Sequence, residues 1–351
     1  MAYTTINKST DYFNTKIYTG NGTSLAVNVG FQPDWVWTKC RTDSHNHNLF
    51  DSVRGTTNRI RSDTTGTETT HAESLKSFDS NGFTMGTQTN VNQNSTDFVS
   101  WNWRAGTTGS GTTTGSGTDK AYSYSVNTTA GFSIITYLGN GTSGHQIPHH
   151  LGVSPSMIII KSRSNVEDWF IYHKSMGNTK DIHLNNTNGD GTADSWDNTT
   201  PSTTTWTMSN QSAINGGNNT HVAYCFAEKQ GYSKFGKYIG NANQDGNFVY
   251  LGFKPAFVLL KNISSSGYSW EIFDNKRNLT DGVGNVIQKR LYPDSSAVEG
   301  GNASTDFIDF LSNGFKIRRN GDSNENGSSY IYMCFAEAPL VGTNNVPCTA
   351  K

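Results

Sequence analysis

Apolar and polar residues follow one another in short runs along this chain, and glycine, asparagine, serine and aspartate break the runs at close intervals. Trp270 and Ile272 lie on one face of such a run and Glu271 and Phe273 on the other, the two-residue period of a β-strand. Met157 to Ile160 and Phe257 to Leu260 are unbroken apolar runs instead, which predicts central strands covered on both faces. No stretch carries a convincing helical period. The pattern predicts an all-β protein.

The runs recur in a fixed order. Tyr18-Thr-Gly-Asn-Gly precedes Gly30-Phe-Gln-Pro-Asp-Trp-Val-Trp-Thr-Lys39; Tyr137-Leu-Gly-Asn-Gly precedes Gly152-Val-Ser-Pro-Ser-Met-Ile-Ile-Ile-Lys161; Tyr238-Ile-Gly-Asn-Ala precedes Gly252-Phe-Lys-Pro-Ala-Phe-Val-Leu-Leu-Lys261. Each copy then passes through Leu49-Phe-Asp51, Trp169-Phe-Ile-Tyr-His173 or Trp270-Glu-Ile-Phe-Asp274 and ends on Val99-Ser-Trp-Asn-Trp103, Val222-Ala-Tyr-Cys-Phe226 or Ile331-Tyr-Met-Cys-Phe335. A repeat of roughly 110 residues is domain-sized, too long for a solenoid unit. Asn-Gly reads as a type I′ hairpin turn, and proline at the first residue of the next strand removes no ladder bond. The expected architecture is three tandem antiparallel β-sandwich domains, jelly-roll-like, each with a core of its own. Residues 1–105, 119–229 and 230–339 form the modules. The Gly/Ser/Thr-rich segment 106–118 is expected to be a flexible linker that lets the first module reorient, and 340–351 an irregular C-terminal arm.

Composition agrees with a folded chain: 12% of the 351 residues are aromatic and only 16% charged, the reverse of a disordered sequence. The net charge of −1 gives no footprint for nucleic acid or an anionic membrane surface. No apolar run is long enough to span a bilayer, and the start lacks a secretory signal. Four cysteines without CxxC spacing exclude a disulfide framework; Cys225 and Cys334, at matching places in two copies, read as buried and reduced.

The strings that resemble sites are weak. Gly139-Asn-Gly-Thr-Ser-Gly144 spells a dinucleotide fingerprint but lies in a turn with no following helix, and Gly231-Tyr-Ser-Lys-Phe-Gly-Lys237 lacks the Ser/Thr of a P-loop. Asn186, Asn188, Asp190 and Asp197 follow calcium-loop spacing with too little negative charge, leaving a weak calcium candidate beside the simpler reading of a turn. His45 with His47 and His149 with His150 are near-pairs without the further ligands that zinc needs, and are expected in polar loops. No nucleophile elbow or Cys/His pair appears. No catalytic residue and no cofactor are expected.

Tyr137-Leu-Gly-Asn-Gly-Thr-Ser, Asp168-Trp-Phe-Ile-Tyr-His-Lys-Ser, Val222-Ala-Tyr-Cys-Phe-Ala-Glu, Gly231-Tyr-Ser-Lys-Phe-Gly-Lys-Tyr, Phe248-Val-Tyr-Leu-Gly-Phe-Lys-Pro-Ala and Asp309-Phe-Leu-Ser-Asn-Gly-Phe-Lys-Ile-Arg together resemble a repeated domain of uncharacterised function common in predicted tail-fibre and other virion proteins of marine bacteriophages. The resemblance covers nearly the whole chain and is strongest from about Gly131 to Pro339. It implies a non-enzymatic virion protein, assembled in the host cytoplasm and carried on the particle surface. A tail fibre or spike that attaches to host-surface glycan is the leading expectation. A capsid-decoration or tail-adaptor protein without a ligand is the alternative, and a polysaccharide-cleaving fibre the third. Expected partners are copies of itself as a homotrimer, other virion proteins, and a host polysaccharide or receptor. The long polar loops 56–73, 178–207 and 281–305 are where recognition would sit.

Overall fold

Each copy builds one larger antiparallel sheet around the same four strands, and one smaller sheet that packs on it. In the first copy the shared order is Phe13–Thr19, Asp97–Trp103, Trp35–Cys40, Asn48–Asp51; in the second Phe132–Leu138, Thr220–Phe226, Met157–Ser162, Phe170–His173; in the third Ser233–Ile239, Ser329–Pro339, Phe253–Asn262, Glu271–Asp274. The smaller sheets centre on Gly82–Met85, His145–Pro148 and Gly314–Ile317. The chain is therefore all-β, and among the described residues there are six sheets, none closed into a barrel. The computed structural model describes residues 3–278, 285–301, 307–342 and 347. Parts of the loop 281–305 and most of the arm 340–351 lie outside the described residues.

Side-chain alternation on the Pro-led strands explains why they are apolar throughout. Val36, Ile158 and Ile160, and Val258 and Leu260 point to the smaller sheet of their own copy, into three separate clusters. Trp35, Trp37, Met157, Ile159, Phe257 and Leu259 point the other way, into one cluster fed by all three copies. Trp103, Phe226 and Phe335 hold equivalent registers opposite Trp35, Met157 and Phe257. Their rings meet pairwise with centroids 5.6 to 6.4 Å apart. These equivalent rings mark a pseudo-threefold axis, with the larger sheets arranged as the walls of a three-sided prism. The expectation that each module keeps a core entirely its own, and that the first reorients freely, is corrected: half of each larger sheet is buried against the other two copies.

The expected flexible linker is also corrected. Thr107–Thr112 pairs along its length with Ala121–Asn127, and Thr114–Gly115 with the His145–Pro148 strand. The glycines serve packing: a Cβ at Gly109 or Gly111 would sit 2.6 Å or 2.8 Å from the hydroxyl of Tyr124 or Tyr122. Gly231 to Lys237 likewise leads into the strand Ser233–Ile239.

The Gly-Asn-Gly turns are not hairpins. The strands on either side belong to different sheets, so the turn carries the chain from the larger sheet to the smaller. A buried asparagine holds each turn: the amides of Asn21, Asn140 and Asn241 donate to the side-chain oxygens of Asn92, Asn215 and Asn324 at 2.9, 3.0 and 2.9 Å. Cβ atoms on Gly20, Gly139 or Gly240 would overlap the backbone beside those asparagines. The preceding tyrosine completes the corner, with Tyr18, Tyr137 and Tyr238 donating to the carbonyls of Val91, Ile214 and Ser323 at 2.9, 2.7 and 2.6 Å. Two of the asparagines end four-residue helices, Thr89–Asn92 and Ser212–Asn215, which the strand periodicity did not predict.

Candidate functional site

The densest buried polar chemistry lies where the copies meet, and it grows from a four-residue turn. Asp51 and Asp274 end equivalent strands, opposite Trp35 and Phe257. Asp51 Oδ1 accepts from the amides of Val53 and Arg54 at 3.1 and 2.8 Å, and Asp274 Oδ1 from those of Lys276 and Arg277 at 3.0 and 3.1 Å. The turn brings the arginine back, so that Nε of Arg54 and of Arg277 each lies 2.5 Å from the Oδ2 of its aspartate, with both side chains fully buried. Burial opposes the Arg54 charge, but Asp51, Tyr224 and Glu68 outweigh it and hold the guanidinium firmly protonated.

Each pair also reaches a neighbouring copy. Tyr224 of the second copy donates to Asp51 Oδ2 at 2.8 Å, and Trp101 Nε1 of the first donates to Asp274 Oδ2 at 2.9 Å. The second copy has His173 and Met176 at the equivalent places. There the Ser175 amide donates to His173 Nδ1 at 3.2 Å, and His173 Nε2 donates to the Tyr332 carbonyl of the third copy at 3.2 Å. Burial lowers the His173 pKa to about 4.

A second set of contacts runs around the ring in the opposite sense. His47, Trp169 and Trp270 are equivalent, and their ring N–H groups donate to the carbonyls of Tyr292, Arg61 and His183, each in another copy, at 2.9, 2.8 and 2.8 Å. Trp37 Nε1 donates to His47 Nδ1 at 2.8 Å, which fixes the His47 proton on Nε2. His47 is thus a buried seam residue, a correction to the polar-loop expectation. His149 is buried as well.

Backbone pairing and charge close the edges. The amides of Glu299, Glu68 and Asp190 donate to the carbonyls of Arg41, Arg163 and Ile263 at 2.8, 3.0 and 2.9 Å. At two of these seams the carboxylate joins arginines from both copies: Glu68 with Arg54 and Arg163, each nearest pair 2.7 to 2.8 Å apart, and Glu299 with Arg277 and Arg41 at 3.1 and 2.9 Å. Ile263 offers no cation at the third, and Asp190 instead pairs with Lys180 at 3.3 Å. Beside the seams Lys39, Lys161 and Lys261 are buried at equivalent positions. Desolvation lowers each of them to about 8.

Several polar groups at equivalent positions thus join the copies, while others, such as Asn92, Asn215 and Asn324, hold turns within them. Chemistry of another kind is to be sought among features that occur once, and the third copy has two. In the first, Arg290 Nη1 bridges Glu271 and Asp322, the latter at 2.8 Å, beside a cavity of about 160 Å³ shared with Tyr268 and Tyr292. Burial raises the Glu271 pKa against the pull of Arg290 and Arg319; Asp322 lies below its ordinary value because bonds and charge from Arg290 and Arg319 outweigh its burial. Asn48 and Phe170 stand at the Glu271 position in the other copies. The second is a cleft of about 490 Å³ between the second and third copies, lined by Tyr3, Lys174, Glu228, Gln230, Lys234 and Tyr250 among others.

The calcium-spaced string begins beside the first of these, where the Gly267 amide at the cavity wall donates to the Thr187 carbonyl at 2.9 Å. Asn186 Oδ1 accepts the Asn188 amide at 3.0 Å, forming an Asx turn, and Asp190 serves the third seam. Asp197 occupies a left-handed turn at φ 49° whose amide bonds the Asp194 carbonyl at 2.7 Å. Among the described residues, no group of three or more His, Cys, Asp or Glu side chains is placed to hold a metal, and no helix is long and apolar enough to cross a membrane. Cys40, Cys225 and Cys334 are buried and unpaired. The Asp-x-x-Arg pairs escaped the sequence reading; their signal is the matching spacing of Asp51 to Arg54 and Asp274 to Arg277.

Residues 8–339 match the family model of a domain of unknown function, DUF7483. No curated protein and no solved structure matches the chain.

Proposed function

This chain belongs to the DUF7483 family, and from that premise we propose that it is a non-enzymatic structural protein of a bacteriophage particle, a tail fibre or spike that attaches to glycan on the host surface. The observation that carries the structural half of the proposal is the use of equivalent polar groups to lock three copies around one shared core. Such a body suits rigidity and display. In this reading the modules are three jelly-roll-like β-sandwiches welded side by side, and the virion and host-surface half rests on the sequence resemblance. Self-association into a trimer of whole chains would multiply weak glycan contacts, since linked sites gain effective concentration. Attachment to other virion proteins through one end completes the proposal. Density or immunogold labelling in purified particles tests it: the expected location is a projecting tail appendage. A regular array on the capsid would replace it with the decoration reading.

The Glu271 and Asp322 pair favours one second reading, the polysaccharide-cleaving fibre. Two carboxylates with environments that push their proton affinities apart are the arrangement of a general acid with its partner. Release of reducing ends from host polysaccharide, abolished by Glu271→Gln, would establish it; the attachment reading expects none.

A further inference from the structure

We propose that the cleft between the second and third copies is a saccharide-binding site with a preference for sugars that carry a carboxylate, a proposal that rests on the attachment reading above and gives it a location. Three observations converge. The first is an aromatic platform: Tyr250 lines the cleft and is 49% exposed, and Phe248, 46% exposed, continues the same strand face beyond the lining. They flank Val249, which points inward from the same strand. A flat ring open to solvent offers its face to the C–H face of a pyranose, burying apolar area on both.

The second is a comparison within the chain. Register against the neighbouring strand sets Phe248 and Tyr250 equivalent to Ala26 and Asn28 in the first copy, and to Gln146 and Pro148 in the second. Lys234 is likewise equivalent to Asn14 and Ser133. The scaffold therefore tolerates small or polar residues at all three places. Exposed aromatic and cationic groups occur together there in one copy alone, so the fold does not account for them.

The third is the polar lining. Lys234 Nζ donates to the Tyr250 carbonyl at 3.1 Å and stands 5.2 Å from the centre of the Tyr250 ring, which ties the platform to a positive charge. Lys174 and Glu228, 2.5 Å apart and both exposed, offer a donor and an acceptor for vicinal hydroxyls, with the exposed amide of Gln230 beside them. Tyr3 donates to the Gly252 carbonyl at 2.7 Å and closes one end. Two lysines against one glutamate leave the lining positive, the basis for preferring an acidic sugar. A volume of about 490 Å³ suits a mono- or disaccharide unit.

The test is titration of the full chain by calorimetry and ligand-observed NMR with tetrasaccharides of galacturonate, guluronate and glucose, together with adsorption to host cells. We expect at least one uronate probe to bind more tightly than the glucose tetramer. Tyr250→Ala, a surface change that leaves both cores intact, should weaken it roughly tenfold. Lys234→Met should erase the preference over glucose while keeping stacking. Host or saccharide binding that Tyr250→Ala leaves unchanged would overturn the site and spare the attachment reading. Absence of both saccharide binding and host adsorption would overturn the two together, and equal affinity for uronate and glucose probes would overturn the acidic preference.

Discussion

Two of the three seams are held by buried ion pairs, and the third is not. Where the first copy meets the second and the third meets the first, Asp51 with Arg54 and Asp274 with Arg277 lie wholly out of solvent and extend through Glu68 and Glu299 to the neighbouring arginines. Where the second copy meets the third, His173, Met176 and Ile263 stand in the same places and one imidazole bond does the equivalent work. The geometry of the ring is nonetheless preserved. Shape and apolar area therefore set the association of the copies, and the charges act as a demanding addition: a buried pair roughly balances its own desolvation, whereas half of one is strongly unfavourable.

The largest effect should come from splitting a pair. Asp274→Ala leaves the Arg277 charge buried and removes the acceptor of Trp101, and should cost about 3–5 kcal/mol in chemical denaturation. The double change Asp51→His with Arg54→Met, which copies the third seam into the first, should lie within about 1.5 kcal/mol of the parent. A double variant as damaging as the single would show that the charges themselves hold the ring.

Acid should weaken two seams next, at His173 and at His47, whose pKa burial also holds well below the ordinary histidine value. His173 titrates near 4 when folded against about 6.5 when unfolded. The unfolded chain therefore binds its proton first, so stability present above pH 6.5 is lost as the pH falls toward 4. Between pH 6.5 and 4.5 His173→Gln should lose about 2 kcal/mol less than the parent. Parallel curves would remove His173 from the account.

Smaller still is the ring N–H contact that all three seams share. Trp270→Phe keeps the bulk and strands the His183 carbonyl, at a cost of about 1 to 2 kcal/mol, and Trp169→Phe should match it at its own seam. A large difference between the two would mean that the pseudo-symmetry is geometric but not energetic. The smallest change is Lys180→Met, which removes the cation that Asp190 holds at the third seam. Since both side chains are partly exposed, the loss should stay within about 0.5 kcal/mol, read as a displacement of the denaturation midpoint.

Strands were legible where the two-residue period or an apolar run was clean, as at Met157 to Ile160 and Trp270 to Asp274. Their covering was legible too, but not its source: a face of Trp35 and Trp37 looks the same in sequence whether its cover comes from the same copy or another. The segment from Gly106 to Gly117 misled because glycine and serine signal a tether unless something large sits above them, and Tyr122 and Tyr124 are that something. Gly-Asn-Gly promised a hairpin because its partner, the buried asparagine about 70 to 85 residues later, is invisible to local rules. Of the calcium-spaced residues, Asn186 forms an Asx turn that local sequence can signal, whereas the seam bond of Asp190 has no local signal. The Tyr250 cleft was not legible either, because its lining joins residues from Tyr3 to Tyr250 that only tertiary structure assembles.

The aromatic axis imposes an order on biosynthesis. Trp35 and Trp103 leave the ribosome long before Phe335, the ring that completes their surroundings, has been translated. Through that interval the nascent chain carries an uncovered wall of indoles and paired strands, a sticky intermediate by the usual rules of multidomain folding. Production of this protein should therefore depend on translation speed and on chaperones that shield the first two thirds of the chain until the last third arrives.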